Sequence, residues 1–160
     1  MRLTEALNRP TDRAAPSVNA AIFAARTNAK QGESFNLNTK QFASATPSEG
    51  RYVVGGESDP KGKRIKTKYL NRGRKNPQMT AAEATQSMQR ASLATKNAEG
   101  AHLGSWVDPE NTKKGVQVDV SRVFAGKKKA TETMENRGED AMWDLKTSQN
   151  IYNTKKKQAK

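Results

Sequence analysis

The chain is 160 residues long and only 33% hydrophobic, with a mean hydropathy of −0.96, and folding must offset ~1–2 kcal/mol of backbone entropy per ordered residue. That predicts a single domain with one small core, concentrated in part of the chain and flanked by extended basic arms. Lysine and arginine total 29 against 16 acids, a net charge of +13 with no cysteine, which points to polyanions or acidic protein surfaces as partners and excludes disulfides, thiolate nucleophiles and the usual structural zinc sites.

Residues 1–32 read as an N-terminal arm carrying a short helix. Ser17 can cap a helix from Val18, with Val18, Ala21, Ile22 and Ala25 at helical spacing on one face. The run imitates a short secretory core behind Arg2, Arg9 and Arg13, but Asn19 interrupts it and Pro16 stands at its entrance. A helix buried against a partner is the expectation. No apolar stretch approaches the ~20 residues needed to span a bilayer.

An α+β domain is expected over 33–152. Phe35 and Leu37 alternate with asparagines as a half-exposed strand does. Pro47-Ser48-Glu49-Gly50 signals a turn before a buried strand, Tyr52-Val53-Val54, which Gly55-Gly56 ends. Residues 57–78 are glycine- and proline-punctuated, dense in Lys61, Lys63, Arg64, Lys66, Lys68, Arg72, Arg74 and Lys75, and poor in apolar side chains. They read as a basic loop, and loops of that length are usually functional or disordered.

Thr80 and Glu83 form a capping-box pattern. A helix follows with Ala81, Ala84, Met88, Ala91, Thr95 and Ala98 on one face, and Gly100 stands where a left-handed cap is expected. The next strand sets Leu103, Ser105 and Val107 against Gly104, Trp106 and Asp108. In its partner Val116, Val118 and Val120 alternate with Gln117, Asp119 and Ser121, and Val123-Phe124 predicts that the strand ends, bends or bulges near Ser121-Arg122. A second helix is expected over 128–136, with Ala130 and Met134 inward and Gly138 stopping it. A strand placing Ala141, Trp143 and Leu145 together comes next, then a short edge pairing at Ile151 and Tyr152. The order is β-β-α-β-β-α-β, a small, mostly antiparallel sheet with one or two helices on one face. Residues 153–160 form a basic tail containing Lys155, Lys156 and Lys157.

Phe35-Asn36-Leu37, Gly50-Arg51-Tyr52-Val53-Val54, Gly104-Ser105-Trp106-Val107-Asp108-Pro109, Val118-Asp119-Val120-Ser121-Arg122-Val123 and Ala141-Met142-Trp143-Asp144-Leu145 occur in that order. In this pattern the chain resembles an α+β module of bacteriophage and plasmid genomes. The resemblance covers about three quarters of the chain and implies a phage-associated context without an established activity.

Catalysis has little support. His102 is the sole histidine, so a Ser/His/Asp triad would have to pass through it, and a metal site would have to be built from Asp108, Asp119, Glu139, Asp140 and Asp144. Asp119 sits opposite three valines, as a solvent-facing aspartate does. Glu139 and Asp140 as an acid–base pair would need an enclosed cleft. No cofactor is expected. Trp106 and Trp143 read as structural anchors of the sheet, and Trp143→Ala is expected to cost ~3–5 kcal/mol.

The expected function is that of a non-enzymatic bacteriophage virion protein. Its basic arms would bind neighbouring capsid, portal or tail subunits, with packaged DNA as a further contact. The protein would be present in multiple copies in the particle, in the host cytoplasm before assembly, and away from any membrane. The alternative is a soluble nucleic-acid-binding accessory protein acting during infection or replication. An enzyme or effector aimed at a host protein is a third reading, with no residue to point to.

Overall fold

The computed structural model describes residues 17–45 and 50–158, with side chains up to 156. The arm over 1–16, the turn at Pro47-Ser48-Glu49, the Lys157 side chain and the end of the tail lie outside the described residues. Among the described residues, four α-helices accompany an antiparallel sheet of seven strands, an α+β fold with helices packed on the sheet.

Helix α1 (Val18–Lys30) begins at Ser17, whose hydroxyl accepts the Ala20 amide. Its inward face differs from the expected one. Ala20, Phe23, Ala24 and Thr27 are buried, while Val18 is 76% exposed. Phe23 offers more apolar area than any residue of the competing stripe, and Thr27 finds a buried acceptor in Phe23 O and a partner in Ser105 Oγ at 2.6 Å. The helix therefore belongs to the main core and not to an arm. Strand β1 (Gly32–Asn36) follows directly.

Strand β2 (Tyr52–Val54) is fully buried, as expected. The basic stretch over 57–78 is not the open loop that its composition suggests. The Asp59 carboxylate accepts the Lys61 and Lys63 amides, each at 2.9 Å, and Ser58 bridges to Arg64. Lys68–Leu70 then forms a further strand, β3, against residues 116–118.

Helix α2 (Ala81–Thr95) has the reciprocal Thr80–Glu83 capping box, and Lys96 in place of Gly100 supplies the left-handed C-cap. Strands β4 (Ala101–Val107) and β5 (Val116–Phe124) form the central hairpin around a 3-10 turn at Thr112–Lys114. The strand neither ends nor bulges near Ser121, since its register with β4 and β2 is unbroken. β5 runs on and changes neighbours, with β3 along residues 116–118 and β2 along residues 122–124 of the same edge.

Helix α3 (Lys127–Arg137) buries Ala130 and Met134 and ends at left-handed Gly138. Strands β6 (Ala141–Asp144) and β7 (Gln149–Tyr152) close the sheet, followed by the short helix α4 (Thr154–Gln158). The sheet order is β1-β4-β5-β2-β6-β7, with β3 beside β5.

One face of this sheet carries α1, α2 and α3 over two hydrophobic clusters. The larger joins Phe23, Phe35, Leu37 and Leu103 with Val116, Val118 and Val120 of β5; the smaller joins Tyr52, Val54, Met134 and Met142. In β6 it is Met142 and Asp144 that turn inward, not the expected Ala141, Trp143 and Leu145. At ~25 cal/mol per Å² of apolar area removed from water, these two clusters are the main source of stability.

Candidate functional site

Two surfaces carry chemistry. The first is the basic stretch, fixed in place by three attachments. The Glu57 amide donates to Val120 O at 3.0 Å, and its carboxylate meets Arg122 at 2.8 Å and Arg137 at 3.3 Å. Burial alone would raise the Glu57 carboxyl, but those two guanidiniums hold it below its ordinary value. Arg64 is ion-paired with Glu139 and donates to Arg137 O at 2.8 Å. Beyond β3, Gly73 donates to Lys113 O at 2.8 Å.

The cations read from the sequence divide accordingly. Arg64 is engaged internally, as are Lys155 with Glu135 at 2.9 Å and Lys156 with Asp140 at 2.6 Å. Lys61, Lys63, Lys66, Lys68, Arg72, Arg74 and Lys75 are exposed and have no acidic partner among the described residues. Arg72 lies over the Tyr69 ring, 4.4 Å from its centroid. Lys66 and Lys68, together with Arg90 of α2, line a cleft of about 180 Å³ whose floor is apolar, formed by Ile65, Ala91, Leu103 and Val120 among others.

The second surface is the sheet face opposite α1, α2 and α3. Gln117, Asp119 and Ser121 of β5 stand in register with Trp106, Gly104 and His102 of β4, which in turn face Gly32, Ser34 and Asn36 of β1. Val53 pairs with Trp143, and Trp143 with Asn150, on the far side. Between them lies a cavity of about 160 Å³.

Two glycines make the space. A Cβ at Gly55 would collide with the Asp119 carboxylate, and one at Gly104 would lie 2.8 Å from Asp119 Oδ1 and 3.1 Å from Ser121 Oγ. Asp119 thus fills room that side chains would otherwise occupy and does not project into solvent as its alternation suggested. Burial pushes its carboxyl up to about 7, with Glu139 adding to the rise and the Gly56 amide, Arg64 and Arg137 opposing it. Burial also raises Glu139, against the pull of Arg64 and Lys156. Asp140 would rise by burial too, but Lys156 and Lys114 bring it below its ordinary value.

The five acids considered as a metal site do not converge. Asp108 pairs with Lys114 at 3.7 Å, and Asp144 is held by Arg51 through two 2.7 Å contacts well below the usual carboxylate range. Only Asp119, Glu139 and Asp140 reach the cavity, and no metal-holding group of three occurs among the described residues. His102 stands across from Ser121, its Nδ1 2.9 Å from Gly100 O. Ser121 Oγ has no hydrogen-bond partner among the described residues, so no Ser–His couple forms there. Trp106 and Trp143 belong to neither hydrophobic cluster; both are partly exposed and line the cavity.

So low an apolar content does not predict a cavity of this kind, which is partly open to solvent. Its signal was the β5 alternation combined with glycines at 55 and 104, which only the strand pairing brings around Asp119. No family model, curated protein or solved structure matches the chain.

Proposed function

We propose that this protein is a non-enzymatic structural or auxiliary component of a bacteriophage particle. It holds neighbouring capsid, portal or tail subunits by seating an acidic segment with an apolar side chain in the cleft between residues 65–68 and α2. The observation that carries the docking part is the pairing of an apolar floor with a cationic rim of Lys66, Lys68 and Arg90. A phosphate backbone has no use for such a floor, whereas an acidic peptide uses both features. The phage context rests on the ordered Trp-Val-Asp-Pro, Val-Asp-Val-Ser and Ala-Met-Trp-Asp-Leu segments.

Nucleic-acid binding is the second reading. It is favoured by the five further cations Lys61, Lys63, Arg72, Arg74 and Lys75, which lie outside the cleft and lack acidic partners among the described residues. Phosphate neutralisation by these groups would make affinity fall steeply with salt.

The two readings separate on different variants. Lys66→Glu/Lys68→Glu/Arg90→Glu is expected to remove the protein from purified particles, as read by mass spectrometry, and to leave its melting temperature unchanged. If duplex DNA binds with a steep salt slope that Arg72→Gln/Arg74→Gln/Lys75→Gln abolishes, while the triple glutamate variant still assembles, the second reading replaces the first. Absence of the parent protein from particles, despite abundance in infected cells, overturns the structural role.

A further inference from the structure

The cavity on the open face of the sheet has the makings of a ligand site distinct from the docking cleft, with which its lining shares Asp119 alone. Ser121 is 1% exposed, and its hydroxyl has no hydrogen-bond partner among the described residues although it borders the cavity. Gln117 Nε2, two residues along the same strand, is likewise buried and unpartnered. Buried polar groups are almost always satisfied, and each one left bare costs about 1–3 kcal/mol. Two of them flanking Asp119, on one strand face and around one cavity, mark groups that a bound molecule completes.

The charge pattern selects an uncharged ligand. Around the cavity Glu33 pairs with Arg26, Glu139 with Arg64 and Asp140 with Lys156. Among the described residues, these pairs leave Asp119 as the one carboxyl of the lining without a direct ion pair. An anion would meet that carboxyl and its acidic neighbours. A cation would meet Arg64 and Lys156 in the lining of a chain already at +13. A neutral molecule with hydroxyl groups can donate to Asp119 and exchange hydrogen bonds with Ser121 and the Gln117 amide at no ionic cost.

Size and spacing narrow the class further. A cavity of ~150 Å³ accommodates a single six-membered ring, and this one measures about 160 Å³. Gln117, Asp119 and Ser121 follow each other at about 6.6 Å along the strand. That interval suits a ring bearing hydrogen-bonding groups around its whole perimeter better than a nucleobase, which carries them along one edge. Trp106, Trp143 and Tyr69 supply apolar surface around the same space, which the C–H faces of a sugar ring can cover. We propose that this cavity binds one sugar residue, a single uncharged polyhydroxylated ring, through Asp119, Ser121 and Gln117, with the two tryptophans beside it.

Both tryptophans of the chain line the cavity, so intrinsic fluorescence reports on it directly. The full chain is titrated with neutral hexoses and N-acetylhexosamines, with uncharged nucleosides as the comparison, and binding is confirmed by calorimetry. At least one sugar is expected to give a saturable change and the nucleosides none. Ser121→Ala is expected to weaken that binding at least tenfold while the melting temperature holds or rises, because the hydroxyl it removes has no protein partner. Gly104→Ala, which places a methyl between Asp119 and Ser121, is expected to abolish it. The proposal is overturned if no sugar saturates, if nucleosides bind in their place, or if Ser121→Ala binds as the parent does. A large fall in melting temperature for Ser121→Ala also overturns it, since the hydroxyl would then serve the fold. None of these outcomes bears on the docking cleft, which is tested by its own variants.

Discussion

On β5, Val116, Val118 and Val120 pack into the core beneath the helical layer, whereas Gln117, Asp119 and Ser121, one residue out of step, enter a cavity on the opposite face of the sheet. The two sets share a backbone and a ladder of hydrogen bonds with β4, so the contrast between them is one of side-chain environment alone. On the covered face, stability comes from excluding water from apolar groups. On the open face, polar groups are partly dehydrated without full compensation, which costs stability and leaves them available to a ligand.

The largest effect expected from breaking this contrast is on the covered side. Phe23 is completely buried at the centre of α1, so Phe23→Ala is predicted to cost ~3–4 kcal/mol in denaturant unfolding. An N-terminal helix acting as a detachable arm would instead show no change, so the measurement also decides whether 18–30 is part of the folded unit.

The open side is predicted to respond with the opposite sign. The Asp119 carboxyl titrates at about 7 in the folded protein against an ordinary 3.8. Between those values the native state retains a proton that the unfolded chain has released, so this group's contribution to stability declines as pH rises from about 4 to about 7. Asp119→Asn keeps an acceptor for the Gly56 amide and removes the buried charge. It is predicted to be more stable than the parent at pH 8 by on the order of 2–3 kcal/mol, allowing for the water that reaches the cavity. The difference should vanish near pH 4. Glu139, Arg64 and Arg137 face the same carboxyl, and a profile unchanged by the substitution would assign the titration to Glu139.

The covered face was largely legible in the sequence and the open face was not. Val116, Val118 and Val120 declare their face by alternation, Thr80 and Glu83 declare a helix start, and Ala130 and Met134 with Gly138 declare α3. Each of these signals is local. Asp119 reads as a solvated aspartate because alternation states only that it points away from the valines. What lies on that side is set by Gly55, Gly104 and Glu139, which are distant in sequence and meet only through β2 and β4 pairing with β5 and the approach of α3. The β3 strand escaped for a related reason. Three residues, Lys68, Tyr69 and Leu70, carry no usable period, and the edge of β5 that they complete lies more than forty positions downstream. In α1 the error was one of competing stripes, since Val18 and Ile22 match a helical face as well as Phe23 does and only the tertiary partner decides between them.

Trp143 tests how far the two faces differ in the cost of losing a large side chain. Read from the sequence as an anchor, it would cost ~3–5 kcal/mol on truncation to alanine, because a sealed core site adds the penalty of an empty cavity to the lost transfer energy. In the structure the ring is partly exposed and borders open space on two sides. Removing it enlarges a cavity that already exists and that water can enter, so only the transfer contribution remains. Trp143→Ala is therefore predicted to cost about 2 kcal/mol, to unfold in a single transition, and to leave one tryptophan, Trp106, reporting on the cavity. A loss comparable to that of Phe23→Ala would mean that the open face is sealed like the core, and the glycine-made space around Asp119 would then be a packing feature of the sheet with no room for a ligand.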